Sequence, residues 1–277
     1  MRFSYQVATP DLKHSNNVTC MQGDFEESIR RLASFGYNAV EIMTTYPKSI
    51  DWERIKTILT AYGMSVSLVC TGELGLLGYT ISNPDEALRE QAFGRIKELI
   101  DVAEFFGTNI NIGNTKGRYN DLDSREETEQ KAVEGFQLLC DYAKPKHVKI
   151  AVETGAFFYI NFLNTCAEAE ALIRRVNREN IGLMLDIFHL QIEEKSIIEA
   201  IHRYAPINFH VHLADNNRKY PGAGGFDFDS IVGAFQETGY DGAFTVEVRQ
   251  IPDSVTAAER AAETLLPIFQ RRYAYRR

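Results

Sequence analysis

The segment His210-Val211-His212-Leu213-Ala214-Asp215 carries residues of a metal or acid–base centre at the spacing of a β-strand. Strand alternation sends His210 and His212 to one face and Val211 and Leu213 to the other. Three further strand-like stretches end in an acid: Ala151-Val152-Glu153, Leu183-Met184-Leu185-Asp186 and Phe244-Thr245-Val246-Glu247. The same parity turns Ile150, Val152, Leu183, Leu185, Phe244, Val246 and Val248 one way. It turns Glu153, Asp186 and Glu247 the other. If the four strands are neighbours, three carboxylates and the His212 imidazole meet at one end. Carboxylates crowded in a low-dielectric mouth take up protons or need a cation. Oxygen ligands with one imidazole suit one divalent metal ion, Mn²⁺ first, with Co²⁺, Mg²⁺ and Zn²⁺ as alternatives. The competing arrangement is a polar plug in which arginines pair with the acids. Four such residues at matching strand ends favour the metal.

Other residues carry weaker signals. His189 follows Asp186 by three positions, in the loop after the strand, where it contacts substrate or caps a turn. Arg218 follows the seventh strand and is either a solvated charge or a contact to a substrate oxygen. His210 lies one layer deeper, as support for His212 or as packed core. Glu41, Asn109 and Asn111 face inward by parity, towards substrate hydroxyls or core hydrogen bonds. Cys70 ends its strand at the mouth, but no histidine neighbours it in sequence, and it is not read as a nucleophile. His14, His147 and His202 read as surface residues.

The elements that must position these groups follow from periodicity and punctuation. Strands are expected at residues 2–7, 39–43, 66–70, 109–112, 148–153, 181–186, 207–213 and 243–248. Between them lie helices announced by caps: Asp24-x-x-Glu27, Asp51, Pro84-Asp85, Ser124-x-x-Glu127, Thr165-x-x-Glu168, Ser196-x-x-Glu199, a helix from about residue 228 to 238, and Thr256-x-x-Glu259. Gly36, Gly63, Gly107 and Gly239 close helices. Eight β-then-α units imply a parallel sheet. Eight units in 277 residues fit an α/β fold of the closed (β/α)8 TIM-barrel kind, one domain over residues 1–277. An open doubly wound sheet would be unusually wide, and no Gly-x-Gly-x-x-Gly follows the first strand. The segments after strands (9–23, 71–83, 113–123, 154–164, 214–227) are long and those after helices short. This places the long loops, and the four candidate ligands, on the C-terminal face.

Composition bounds the rest. A hydrophobic share of 44% supports a large core, and a net charge of −8 disfavours nucleic acid and anionic membrane surfaces as partners. No apolar run reaches transmembrane length, and no signal peptide opens the chain. Cys20, Cys70, Cys140 and Cys166 form no Cys-x-x-Cys pair, so a reducing cytoplasmic location is expected. Tyr273 and Tyr275 mark either a contact surface for a homo-oligomer or a frayed end.

Taken in order, Val152-Glu153 with Phe162-Leu163-Asn164-Thr165, Leu185-Asp186-x-x-His189, His210-x-His212 with Asn217-Arg218 and Pro221-Gly222-x-Gly224, and Val246-Glu247 resemble the xylose isomerase-like superfamily of metal-dependent barrels. Within it the chain most resembles ketose 3-epimerases of the tagatose/psicose epimerase group, with hydroxypyruvate isomerase and inosose-processing enzymes as neighbours. The resemblance implies that Glu153, Asp186, His212 and Glu247 hold the metal. It implies that Glu153 and Glu247 are the catalytic proton-transfer pair and that His189 and Arg218 bind substrate oxygens. Two positions depart from the group: Thr154 stands where a Pro is usual and Tyr159 where a Glu is usual.

The expected reaction is proton abstraction beside the carbonyl of a ketose or related hydroxy ketone, through an enediolate. A lyase of the same superfamily, of inosose or dehydroshikimate dehydratase type, would share metal and deprotonation. An endonuclease IV-like repair enzyme would need extra histidines where Cys70, Asn111 and Asn217 stand. A non-catalytic sugar-binding barrel would need no paired acid and base.

Overall fold

The computed structural model describes residues 1–12 and 19–275; His14 and part of the first long loop lie outside them. Eight strands form: Arg2–Ala8 (β1), Ala39–Met43 (β2), Ser65–Cys70 (β3), Ile110–Ile112 (β4), Ile150–Glu153 (β5), Ile181–Asp186 (β6), Asn208–Leu213 (β7) and Ala243–Val246 (β8). Each pairs in parallel with the next, and β8 pairs with β1 from Arg2↔Ala243 to Tyr5↔Val246, which closes a TIM barrel. The register brings site residues side by side: Gln6 opposite Glu41, and Asp186 opposite His212. Closure removes the sheet edges and leaves the two ends as the places for irregular chain.

The helices are Phe25–Phe35 (α1), Trp52–Ala61 (α2), Gly72–Leu76 (α3), Glu86–Phe106 (α4), Arg125–Ala143 (α5), Cys166–Val176 (α6), Ile187–Glu193 (α7), Ile197–Tyr204 (α8), Phe228–Glu237 (α9) and Ser254–Tyr273 (α10). Ser124 and Thr165 form reciprocal capping boxes with Glu127 and Glu168, each cap contributing ~1 kcal/mol. Gly36 ends α1 at φ 99°, a left-handed turn that glycine adopts without a Cβ clash.

Three expectations change. The loop after β3 contains α3, held down by buried Leu74; five residues are too few to display a helical period. Residues 187–193 are not loop but α7, whose N-cap is Asp186 itself, so one residue ends a strand and starts a helix. The last helix is capped by Asp253, which accepts from the Thr256 amide, and not by a Thr256–Glu259 box.

The core is the layer between strands and helices. Phe3, Tyr5 and Val7 of β1 point into it, and Phe3 stacks on Tyr37 with ring centroids 4.1 Å apart. Inside the barrel, Leu68, Ala151 and Met184 form a small apolar cluster. Ser4 and Ser67 hydrogen-bond each other at 2.7 Å. The terminal tyrosines pack on the core and are not a frayed end: Tyr275 is buried and donates to the Gly36 carbonyl, and the partly buried Tyr273 packs edge-on against Phe244. Among the described residues the exposed aromatics are Tyr46, after β2, and the run Phe157, Phe158 and Tyr159, after β5. All four cysteines are free and buried. Among the described residues no helix is long and apolar enough to cross a membrane.

Candidate active site

Four consecutive strands, β5 to β8, deliver Glu153, Asp186, His212 and Glu247 to one point. One ligand atom from each lies within 4.8 Å of the others. His212 Nδ1 is the hub, 3.1 Å from Glu247, 3.5 Å from Glu153 and 3.9 Å from Asp186. Metal–ligand bonds of about 2.0–2.2 Å put ligand atoms up to about 4.4 Å apart, so the observed spacing is near that of a single ion's shell. Gly113 faces Glu153 so closely that a Cβ there would sit 2.5 Å from its Oε2; glycine is required for the carboxylate to stand where it does. Burial opposes a proton on His212, yet Glu41 and Glu247 more than offset it and hold its pKa well above the ordinary histidine value. The same field favours any cation at Nδ1. These residues fit a divalent ion.

A second group, Glu41, His210 and His212, is also close enough to ligate. Here the ligand atoms already bond each other: Glu41 meets His212 Nε2 at 2.8 Å and His210 Nε2 at 3.1 Å. Gln6 Nε2 donates to the other Glu41 oxygen at 2.8 Å. Burial pushes Glu41 up, but the two imidazoles outweigh it and bring it down to about 2. The lower group is therefore a hydrogen-bonded support that orients the His212 ring, the arrangement commonly found behind a ligating histidine. Glu41 and His210 thus take core hydrogen bonds within this support. Asn111 stands in the cavity wall, accepts from the Thr71 amide at 3.0 Å and reaches Glu153 at 3.5 Å. Asn109, by contrast, accepts from the Lys149 amide, away from the mouth.

Arg218 is no solvated loop charge. It is buried, donates to Asp186 Oδ2 at 2.6 Å and pairs with Glu247. Its backbone has φ 60°, a conformation fixed by its amide bonding to the Asp215 carbonyl. The arginine-paired plug considered from sequence is thus present in part: one guanidinium engages two of the three acids and leaves Glu153 to His212. Glu153 and Glu247 respond oppositely. Burial raises Glu153, and the Glu247 and Asp186 charges add to it, with His212 opposing. Burial also pushes Glu247 up, but Arg218 and His212 reverse this and hold it well below the usual carboxylate value. His189 Nδ1 accepts the Ala156 amide at 3.1 Å. The neutral ring then carries its proton on Nε2, which lies 3.7 Å from Asp186. Burial lowers the His189 pKa to about 4, so the ring stays a neutral donor.

Glu153, Glu247, Arg218 and His189 line a cavity of about 380 Å³ at the C-terminal end of the barrel. Sequence reasoning missed several residues of the site. Gln6 and Thr19 both donate to Glu247 Oε1, at 3.3 and 3.1 Å. Gln6 was findable, since Ser4 and Gln6 alternate with Phe3, Tyr5 and Val7 along β1. Glu73 from α3 and Lys116 from the turn after β4 also face the cavity. Lys116 is 1% exposed and donates to the Gly113 carbonyl at 3.2 Å. Tyr159 lines the wall as well. Cys70 does so with its thiol pushed well up by burial, which keeps it a thiol and not a nucleophile.

A closed parallel barrel with a carboxylate-rich mouth defines an enzyme scaffold with its site on the C-terminal face. Residues 29–268 match the xylose isomerase-like TIM barrel family model, and the chain belongs to that family. It is 28% identical to an L-ribulose 3-epimerase from Methylomonas sp. (strain DH-1) over 245 residues, 85% of this chain and 84% of that one. It is likewise 28% identical to a ketose 3-epimerase from Arthrobacter globiformis over 225 residues, 79% of this chain and 76% of that one. The crystal structure of a Methylomonas sp. D-allulose 3-epimerase in complex with D-allulose superposes with a TM-score of 0.79 at 23% identity, covering 99% and 97% of the two chains. Epimerases are isomerases, and the chain is an enzyme of that class, as its motifs implied.

Proposed function

We propose that the chain is a divalent-metal-dependent epimerase or isomerase of a ketose or related hydroxy ketone. The observation that carries this is the convergence of Glu153, Asp186, His212 and Glu247 within 4.8 Å, with Glu153 and Glu247 opening onto a sugar-sized cavity. These four would hold a divalent ion, Mn²⁺ first among the candidates, which when bound would supply Lewis-acid stabilisation of negative charge developing on the substrate.

The chain's own groups do the rest. Glu153 ends β5 and Glu247 follows β8, with two strands between, and both face the cavity. One carboxylate removes the proton beside the carbonyl, and the other returns a proton from the opposite face, which inverts the carbon. Gln6 and Thr19 fix one oxygen of Glu247, so its other oxygen is aimed by Arg218 and His212. His189 presents an Nε2–H donor to a substrate oxygen, and Arg218 a guanidinium. Asp186 reaches Arg218 and the Phe188 amide with separate oxygens, which makes it a holder more than a proton carrier. Buried free thiols suit a reducing compartment such as the cytoplasm.

The test is incubation of the Mn²⁺-loaded protein with a panel of ketoses in heavy water. Deuterium entering the carbon beside the carbonyl, together with an epimeric product and loss of both on chelation, is expected. An ultraviolet-absorbing unsaturated product would convert the reading to a lyase. Absence of exchange with every ketose and every divalent ion would end it.

A further inference from the structure

Lys116 is the buried cation that this reaction leaves without a role. Its side chain is almost wholly buried, yet it lines the cavity wall beside Glu153. The ammonium has three N–H donors, and among the described residues its one hydrogen bond is to the Gly113 carbonyl, at 3.2 Å. Among the described residues, no carboxylate oxygen lies within ion-pair distance of it, although Arg218 engages two carboxylates a short way across the mouth. A buried charge without a counter-ion costs several kcal/mol, roughly, unless something neutralises it.

The ammonium lies next to backbone that carries no side chain: a Cβ at Gly155 would stand 3.9 Å from Lys116 Nζ, and Gly113, whose carbonyl accepts from the ammonium, is the residue against which Glu153 packs. Tyr159, on the same wall, brings no negative charge. The position is therefore a donor site facing the space next to the proposed proton-transfer carboxylate.

We propose that Lys116 contacts an anionic oxygen of the substrate at the β4–β5 side of the cavity. That oxygen comes from one of two sources: a carboxylate on the substrate, or the enediolate oxygen that develops in the reaction. The first makes the chain selective for keto-sugar acids, the second makes Lys116 a catalytic residue for neutral ketoses. The second source rests on the reaction proposed above; the first does not.

The experiment compares wild type with Lys116→Met and Lys116→Gln, each checked for an unchanged far-ultraviolet spectrum and cooperative melt. Binding of L-threonate, a four-carbon sugar acid, is titrated calorimetrically to the metal-stripped chain, so that the ion cannot supply the attraction. Turnover of neutral ketoses is measured on the Mn²⁺-loaded chain. A carboxylate source predicts threonate affinity falling tenfold or more in both variants. An enediolate source predicts kcat for neutral ketoses falling about a hundredfold with KM within threefold, a split that loss of packing alone does not produce. Wild type that turns over no ketose but loses threonate binding on substitution removes the epimerase reading and keeps Lys116. Variants within twofold of wild type in both measurements overturn the proposal, as does a wild type that neither binds threonate nor turns over a ketose. Failure of both variants to fold moves the same two measurements to Lys116→Arg, whose longer planar cation keeps the charge but shifts its donors, and which must then weaken one of them by threefold or more.

Discussion

His212 is the residue on which the site turns, because its two nitrogens face two different environments. Nε2 is tied to Glu41 from below and Nδ1 faces three carboxylates above. Glu247 is the most constrained of these acids, since Gln6 and Thr19 hold one oxygen and Arg218 and His212 the other. Glu247→Gln keeps the shape and an acceptor oxygen but removes the proton carrier. The expected result is a ligand set that still binds Mn²⁺, more weakly, while deuterium exchange into substrate falls about 10²- to 10⁴-fold. Turnover near wild type in that variant would exclude Glu247 from proton transfer. The four candidate ligands were legible in sequence because strand parity is rigid: a side chain two residues along must return to the same face. Lys116 was not legible, since it lies in a single 3₁₀ turn, where no period assigns a face. Arg218 was half legible, because its place after β7 was readable but its left-handed backbone and inward reach depend on Asp215 and the rest of that loop.

Among the elements, the strands leave little room for error where they approach one another. On β6, a Cβ at Gly182 would meet the Ile207 carbonyl oxygen and come 2.8 Å from the Phe209 ring. Gly182→Ala is therefore expected to destabilise the fold by about 1–3 kcal/mol, read as a lower denaturant midpoint at unchanged slope. An unchanged midpoint would mean that the β6–β7 packing yields more easily than a close-packed barrel should. The outer helices are joined differently. Asp229 of α9 accepts from Arg271 at 2.6 Å and from Arg272 at 2.7 and 2.8 Å, which ties α9 to α10. These hydrogen bonds hold its pKa below the usual aspartate value. A depressed acid stabilises the fold fully above its unfolded pKa and loses that contribution as pH falls through the folded one. Asp229→Asn should thus cost at most about 1 kcal/mol at neutral pH, since the pair is largely solvated, and the gap from wild type should close in strong acid. A gap that widens on acidification would contradict the assigned direction. Helix caps were the most readable features of this scale. The exceptions were α7, where Asp186 serves strand and helix at once, and α10, where Asp253 and not Thr256 is the cap.

For the molecule as a whole, the polar mouth and the apolar shell act on stability in opposite senses. The shell of strand and helix side chains supplies the favourable burial, each buried large aliphatic or aromatic contributing about 1.5–3 kcal/mol. The mouth gathers buried Glu41, Asp186 and Glu247 with partly buried Glu153, and such groups are tolerated only with cations among them. Arg218 meets part of this need, and His212 shares its charge between two layers. A divalent ion bound to the native state alone stabilises it by mass action, about 2.7 kcal/mol when present at a hundred times its dissociation constant. For a chain of 277 residues this corresponds to a rise in melting temperature of roughly 5–10 °C. The rise should be largest with Mn²⁺ or Co²⁺, reverse with chelator, and shrink as pH falls, because the carboxylates must be deprotonated to ligate. Glu153, whose pKa burial raises, is the first expected to withdraw. Asp186→Asn should lose most of the shift while retaining a cooperative melt. A melting temperature indifferent to every divalent ion in the wild type would show that Arg218 and His212 already satisfy the mouth, and that the acids serve as a polar plug.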